Sequence, residues 1–329
     1  MNILITGACG YIGSHFVRLA KNIPGFNLFA IDDLSTGKKT SIPESIPLLI
    51  EPLENTKAVK AFIAENKIDV IFHFAGKIVV SESVVNPHKY YISNTMNTAN
   101  LADIAAKNGV EYFIFSSTAA VYGQPKNGEK IKEDDEKNPV SPYGASKLMS
   151  ERIIADIAKT CDMKYAILRY FNVAGASEDL SIGQETPNAT HLFRAVCDTA
   201  LGLRDSLDIY GNDYSTPDGT GIRDYIHVCD LVSAHYSVLK YIQREKKSEI
   251  FNIGYGRGVS VLEAKNAVEK VSGTKIRTEF KPRRPGDCAC VISDNTKITS
   301  LTDWQPKYRD IKTIAGHAYA WEKKKLDRR

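Results

Sequence analysis

The chain is 329 residues long, 43% hydrophobic and 25% charged, an ordinary balance for a globular protein that argues against disordered, collagen-like and disulfide-scaffold classes. At about 100–200 residues per domain, two domains are expected. The net charge is +4, and the last seven residues, Lys323 to Arg329, hold five basic groups and one acid, the whole of that excess. Nothing in the rest calls for nucleic acid or an anionic membrane, and a frayed, solvated end is expected.

Short aliphatic and β-branched runs alternate with longer polar stretches: Ile3–Thr6, Leu28–Ile31, Leu48–Ile50, Val70–Ala75, Tyr112–Ser116 and Tyr165–Tyr170. Strands buried on both faces read as continuous apolar runs, so these six predict the centre of a parallel sheet flanked by helices. Helices are predicted over His15–Lys21, Thr56–Asn66, Asn94–Lys107 and Tyr143–Lys159, the last announced by Ser141-Pro142. After Asn172 the pattern changes. Gly175, Gly183, Pro187, Gly211, Pro217, Gly219 and Gly221 punctuate a stretch with one convincing helix, around His191–Leu201. The expected fold is α/β, a doubly wound parallel sheet of Rossmann type with a smaller, loop-rich C-terminal lobe interleaved with it.

The longest apolar stretch, Val70 to Val80, is interrupted by His73, Gly76 and Lys77, far short of the roughly 20 residues of a membrane span. The first residues run straight into a strand pattern with no export leader, so a cytoplasmic location is expected. Six cysteines, at 9, 161, 197, 229, 288 and 290, form no C-x-x-C pair, and Cys288 and Cys290 lack histidines at zinc-ligand spacing. Reduced thiols and no metal are the expectation.

The first strand ends in Gly7-Ala8-Cys9-Gly10-Tyr11-Ile12-Gly13 and leads into a helix starting near Tyr11. Glycines in such a turn let the backbone approach a pyrophosphate, while the helix start stabilises its charge; a purely structural turn is the alternative. Asp32 follows Gly13 by 19 residues, at the end of the second strand. A carboxylate there suits an adenosine ribose diol and repels a 2′-phosphate, which favours NAD over NADP unless Asp32 is a solvated turn residue. His73-Phe74-Ala75-Gly76 closes a later strand with small residues that admit a flat cofactor, and His73 itself reads as a satisfied core histidine.

Tyr143-Gly144-Ala145-Ser146-Lys147 places a phenol and an ammonium on one helical face. An adjacent ammonium favours phenolate, making Tyr143 a candidate general base, although the same spacing also arises by chance on surface helices. Thr118 ends the buried run Phe113-Ile114-Phe115-Ser116-Ser117-Thr118, at the carboxyl end where ligands of a parallel sheet lie. Its hydroxyl suits a reacting alcohol.

Together, Gly7-x-x-Gly10-x-x-Gly13, Ser116-Ser117-Thr118 and Tyr143-x-x-x-Lys147 resemble the extended short-chain dehydrogenase/reductase family. The likeness continues through Arg169-Tyr170-Phe171-Asn172, Gly211 to Tyr214, the run Asp218 to Val228, and Arg283-Arg284-Pro285-Gly286-Asp287, which resemble its UDP-hexose 4-epimerases over nearly the whole chain. The resemblance implies inversion at C4 of UDP-glucose and UDP-galactose through a 4-keto sugar, with NAD bound throughout. Residues 1–171 would form the NAD-binding domain, with strands near 225–255 returning to it, and 172–329 mainly a UDP-sugar lobe.

Residue by residue, the resemblance makes Tyr143, Lys147 and Thr118 catalytic. It places Gly7, Gly10, Tyr11, Ile12, Gly13, Asp32, Phe74, Ala75, Gly76, Asn94, Tyr143, Lys147 and Phe171 at the cofactor. Arg223 and Arg284 would grip the diphosphate, Asp287 the uridine ribose, and Asn172 and Thr118 the sugar. His191, Leu192, Asp208, Ile209 and Tyr210 would bracket the nucleotide, and a homodimer through the helices around Asn94–Lys107 and Tyr143 is implied. The bland alternatives are an Arg223–Asp224 pair, a solvated basic turn at Arg283-Arg284 and an ordinary loop at His191.

The chain departs from the family pattern at Glu51-Pro52, where Gly-Asp is usual; at Lys77-Ile78, where the lysine comes one residue early; and at Ser93-Asn94, where two asparagines are common. Val291 stands where some members carry a bulky tyrosine against the hexose, leaving room for a 2-acetamido group, so UDP-N-acetylglucosamine and UDP-N-acetylgalactosamine are expected substrates too, or even the main pair. Against a 4,6-dehydratase, Thr118 is followed by Ala119-Ala120, which cannot transfer protons. A simple NAD-dependent dehydrogenase would release its reduced cofactor, and a non-catalytic NAD-binding regulator would have no need of both Tyr143 and Lys147.

Overall fold

The computed structural model describes residues 1–329 apart from 126–129, 187–190, 285 and 328–329. Pro187, Pro285, Arg328 and Arg329 therefore lie outside the described residues. The strand Asn2–Thr6 sends alternate residues to opposite sides: Ile3 and Ile5 join one apolar cluster, Leu4 another. A strand with no wet face must be covered twice. On one face lie the helices Tyr11–Ala20 and Val228–Glu245, contributing Phe16, Val17, Leu231 and Val238. On the other lie Thr56–Glu65, Asn97–Lys107 and Pro142–Ala158, contributing Val59, Ile63, Leu101 and Ile154. Each such buried side chain stabilises by roughly 1.5–3 kcal/mol relative to exposure, so these two clusters hold the layers together.

Seven parallel strands pair in the order Glu249–Ile253, Lys164–Tyr170, Tyr112–Thr118, Val70–His73, Asn2–Thr6, Asn27–Asp32, Leu48–Ile50. The chain winds outward from Asn2–Thr6 in both directions, the doubly wound arrangement expected. Its reversal point lies between Asn2–Thr6 and Val70–His73, and the crevice at their carboxyl ends is where such a sheet takes ligands. The other strands form smaller assemblies. Ile222–His227 pairs with Asn172–Ala174, Gly258–Ser260 and Cys290–Val291, and Leu207–Tyr210 pairs with Thr278–Lys281. Glu249–Ile253 thus joins the large sheet, whereas Ile222–His227 stays in a small one.

Pro142 opens its helix, and Ser141 Oγ accepts from the Gly144 amide at 3.2 Å, the start signal anticipated. The helix anticipated over Asn94–Lys107 differs in its first turn. Regular α-helix begins at Asn97, after wider π turns over Tyr91–Met96; such turns commonly mark functional positions, and this one buries Asn94. The C-terminal end also departs from expectation. Lys323–Lys325 close the helix Ile311–Leu326, and Lys324 and Lys325 donate to the Leu180 and Gln184 carbonyls at 2.8 and 3.0 Å. All six cysteines are free thiols. No helix among the described residues is long and apolar enough to cross a membrane.

Candidate active site

At the reversal point Gly7 adopts φ +66°, and a Cβ there would lie 2.7 Å from the Ala75 amide nitrogen. A Cβ on Gly13 would lie 2.1 Å from the Gly7 carbonyl oxygen, so only glycine permits this strand-to-helix turn. Asp32 is buried at its rim: one carboxylate oxygen accepts the Cys9 amide and the other the Leu34 amide, each at 2.8 Å. Each oxygen keeps a second lone pair, which a ribose hydroxyl can use. Lys38, a nearby cation that could confuse NAD with NADP, is paired to Glu185 at 2.7 Å. The glycine cradle and this carboxylate fit the adenosine diphosphate half of NAD.

Not every residue expected at the cofactor faces the crevice. The Tyr11 phenol donates to the Gly175 carbonyl at 2.7 Å, tying the turn to the second lobe. Ile12 packs against the core, and Phe74 turns inward against Phe16 and His235. Ala75 and Gly76 stay at the edge. Asn94 fastens that edge, accepting the Lys77 amide at 2.8 Å and donating to the Lys77 carbonyl and Ser146 Oγ at 3.1 and 3.0 Å. His73 bonds Thr6 and Thr98 through its two ring nitrogens at 2.7 and 2.9 Å, the satisfied core histidine expected.

The helix Pro142–Ala158 brings Tyr143 and Lys147 against the end of Tyr112–Thr118. Lys147 is buried, with Nζ donating to the Ser116 carbonyl at 3.0 Å and standing 4.7 Å from the Phe115 ring centre. A Cβ on Gly76 would come within 3.4 Å of that Nζ, so the ammonium faces the crevice edge. Burial pushes its pKa down to about 8, against the pull of Glu151. Tyr143 is raised above the usual phenol value by burial, opposed by its hydrogen bond with Thr118. Before a cofactor binds in the crevice, burial is the larger influence on the phenol. A phenol, a hydroxyl and an ammonium meet where a parallel sheet exposes its strand ends.

The second lobe gathers two guanidinium groups around one carboxylate. Arg223 is not paired with Asp224: its Nη1 donates to the Ile222 and Cys288 carbonyls at 2.9 and 2.8 Å, and Nη2 lies 4.0 Å from Asp287. Asp224 is instead buried, accepting the Tyr255, Gly256 and Ser293 amides. Arg284 Nε bonds Asp287 at 2.9 Å, and the guanidinium stacks 4.7 Å from the Tyr210 ring centre. Two forked cations thus converge on one carboxylate, a donor set suited to a diphosphate. Val291 pairs in register with Arg223 and packs against the Phe171 and Tyr122 cluster, which Ala119 and Leu148 also touch. That contact links the two halves of the site. Asn172 is exposed beside it, His191 is 2.9 Å from Gln184, Leu192 opens its helix, and Asp208 lies 3.7 Å from Lys281. Ile209 is buried in the core, leaving only its main chain for a ligand.

The pattern of the NAD dependent epimerase/dehydratase family matches residues 3–254. The chain belongs to this family. NAD is the cofactor of this epimerase, an isomerase by class. It is 43% identical over 321 residues to a UDP-glucose 4-epimerase of Azospirillum brasilense, covering 98% of this chain and 92% of that protein. The structure of a UDP-Glc/GlcNAc 4-epimerase from Campylobacter jejuni superposes with a TM-score of 0.86 at 45% identity, covering 98% of this chain and 99% of that one. The UDP-glucose 4-epimerase of Stenotrophomonas maltophila, with bound NAD and formylated UDP-arabinopyranose, gives 0.95 at 32% identity, each chain fully covered.

Sequence reasoning missed several supports of the epimerase site. Glu151, one further turn along the Tyr143–Lys147 face, makes a buried two-pronged pair with Arg169, whose Nε and Nη2 lie 3.0 and 2.6 Å from its two oxygens. Arg169 Nη1 also donates to the Tyr122 hydroxyl at 2.9 Å. The i, i+4, i+8 spacing of Tyr143, Lys147 and Glu151 was the available signal. Gly37 was also missed: a Cβ there would strike the Cys9 carbonyl at 2.4 Å. Of the departures from the family pattern, Lys77 reaches Ser35 Oγ at 2.9 Å beside the Asp32 rim, and Glu51 accepts from Asn55 at 3.1 Å.

Proposed function

We propose that the protein inverts C4 of UDP-hexoses, interconverting UDP-glucose with UDP-galactose and also UDP-N-acetylglucosamine with UDP-N-acetylgalactosamine. The observation that carries this reading is the buried Tyr143–Thr118–Lys147 cluster joined, through Val291 and Arg223, to an anchor of two guanidinium groups. The chemistry NAD supplies when bound is uptake and return of the C4 hydrogen with its electron pair, and a positive charge that favours phenolate at Tyr143. Tyr143 takes the 4-hydroxyl proton, with Thr118 orienting that hydroxyl. Lys147 adds positive charge and a donor for ribose at the crevice edge.

Arg223 and Arg284 hold the diphosphate, freeing Asp287 for the uridine ribose. His191, Leu192, Asp208, the main chain at Ile209, and Tyr210 bracket the nucleotide. Phe171 packs at the nicotinamide end and Asn172 bonds the sugar. Tight remote anchoring leaves the 4-keto sugar free to swing about its diphosphate link and present its other face, so binding energy is spent away from the reacting carbon.

Val291 is the basis for including the N-acetyl pair, and the UDP-Glc/GlcNAc specificity of the Campylobacter jejuni relative supports it. Residues 1–171 with Glu249–Ile253 act as the NAD domain and the remainder of 172–329 as the UDP-sugar lobe. The enzyme works in the cytoplasm as a homodimer; exposed Met96 and Met149, beside and on the helices Asn97–Lys107 and Pro142–Ala158, support that pairing. The test incubates the enzyme with UDP-glucose and UDP-N-acetylglucosamine separately and identifies products by NMR. Both are expected to yield their C4 epimers. Val291→Tyr is expected to lose the N-acetyl pair while sparing the plain pair, and equal loss of both would refute the role of Val291.

A further inference from the structure

The segment 175–186 runs from the cofactor turn toward the helix Leu192–Ala200, and the C-terminal helix Ile311–Leu326 fastens it. The Gln184 carbonyl accepts from Trp321 Nε1 at 3.1 Å and from Lys325 Nζ at 3.0 Å. Gly183 lies flat on the Trp321 indole, where a Cβ would come within 2.6 Å of three ring carbons. Glu322, buried, is 3.1 Å from both Lys325 and Arg194, and Arg194 belongs to Leu192–Ala200. The Gln184 side chain then points the other way. Its Oε1 accepts the Thr186 amide at 3.1 Å, so its amide nitrogen is the group 2.9 Å from His191 Nε2. Gln184, His191, Arg194, Trp321 and Glu322 line one small cavity of about 30 Å³ with Tyr11.

We propose that Trp321 and Lys325 are positioning residues for recognition of the UDP group. By fixing the Gln184 carbonyl they aim its amide at His191, and so hold His191 and Leu192 at the mouth of their helix, where the nucleotide is read. The proposal rests on the reading that these two residues face UDP. An ammonium is costly to bury without partners, and the Lys325 side chain is only 13% exposed; its partners here are Glu322 and the one carbonyl that sets Gln184. Part of the excess basic charge at the chain's end thereby acquires a task in substrate binding.

The test is steady-state kinetics with UDP-glucose and calorimetric titration of the holoenzyme with UDP, on Lys325→Met, Trp321→Phe, Lys325→Arg and Lys323→Met. Lys325→Met and Trp321→Phe are expected to raise KM and the UDP Kd together by about five- to tenfold, roughly one lost hydrogen bond to a charged or positioned group, with kcat within twofold. Lys325→Arg restores both values, and Lys323→Met, at an exposed site on the same helix, shifts neither. An unchanged UDP Kd in the two variants, including one accompanied by a lower Tm, shows a purely structural contact and overturns the proposal. Wild-type enzyme that binds UDP without epimerising UDP-glucose overturns the epimerase reading and leaves the UDP titration to decide the positioning role. Wild-type enzyme that binds no UDP overturns both.

Discussion

Tyr143 is the residue on which the proposed chemistry turns. Burial alone holds the phenol protonated, above its usual value, while Thr118 opposes that shift. Positive charge nearby favours the phenolate, so on the proposed reading the Lys147 ammonium and a bound oxidised cofactor both assist the base. Tyr143→Phe removes the acid–base group and keeps the ring in its buried slot. Its kcat is expected to fall by at least about a hundredfold, the low end of what general acid–base catalysis contributes, with NAD content and UDP affinity unchanged. Turnover within tenfold of the wild type would mean that another group moves the proton.

At the scale of elements, most of what the sequence made legible came from periodicity and from glycine. Five of the six continuous apolar runs announced buried strands, whereas Leu48–Ile50 is an edge strand with Ile50 47% exposed, and Gly7 and Gly13 announced a turn whose close approaches exclude any Cβ. Other features were hidden for definite reasons. The Arg169–Glu151 pair joins a strand to a helix 18 residues apart, and no local spacing reveals a partner on another element. The π turns over Tyr91–Met96 carry Asn94, whose bond to Ser146 exists only once the helix Pro142–Ala158 is docked and whose bonds to Lys77 join it to another strand's end. Ile209 was carried over with Asp208 and Tyr210 as one segment, and that its side chain is buried depends on the sheet the short strand joins. Lys324 and Lys325 looked like a solvated end because their acceptors are carbonyls of a loop more than a hundred residues away. Pattern reports periods and turns; docking decides caps, registers and pairs.

For the whole molecule, the buried histidines set a limit on acid stability. Burial pushes His15 and His235 down to about 4 and His73 and His227 down to about 3, from an ordinary 6.5. Between pH 6.5 and about 4 the unfolded chain binds protons at these rings that the folded chain refuses. The unfolded state therefore binds more protons, stability rises with pH across this window, and it is lost as pH falls, by about 1.4 kcal/mol per pH unit for each fully titrating ring. The urea midpoint is expected to be clearly lower at pH 5 than at pH 7.5. Equal midpoints would show that these rings are not held neutral.

On the proposed reading the two lobes divide the labour: the large sheet offers a crevice for NAD and a phenol at its edge, and the small sheets hold a diphosphate while the sugar turns. Reversible oxidation at C4, with the hydrogen returned to the same carbon, is the proposed use of that division. It is tested most directly by turning over UDP-glucose labelled with deuterium at C4, in ordinary water and with no NAD added. UDP-galactose that keeps its deuterium at C4, with no reduced cofactor released, is the expected result. Loss of the label to water, or reduced cofactor accumulating as substrate disappears, would contradict it.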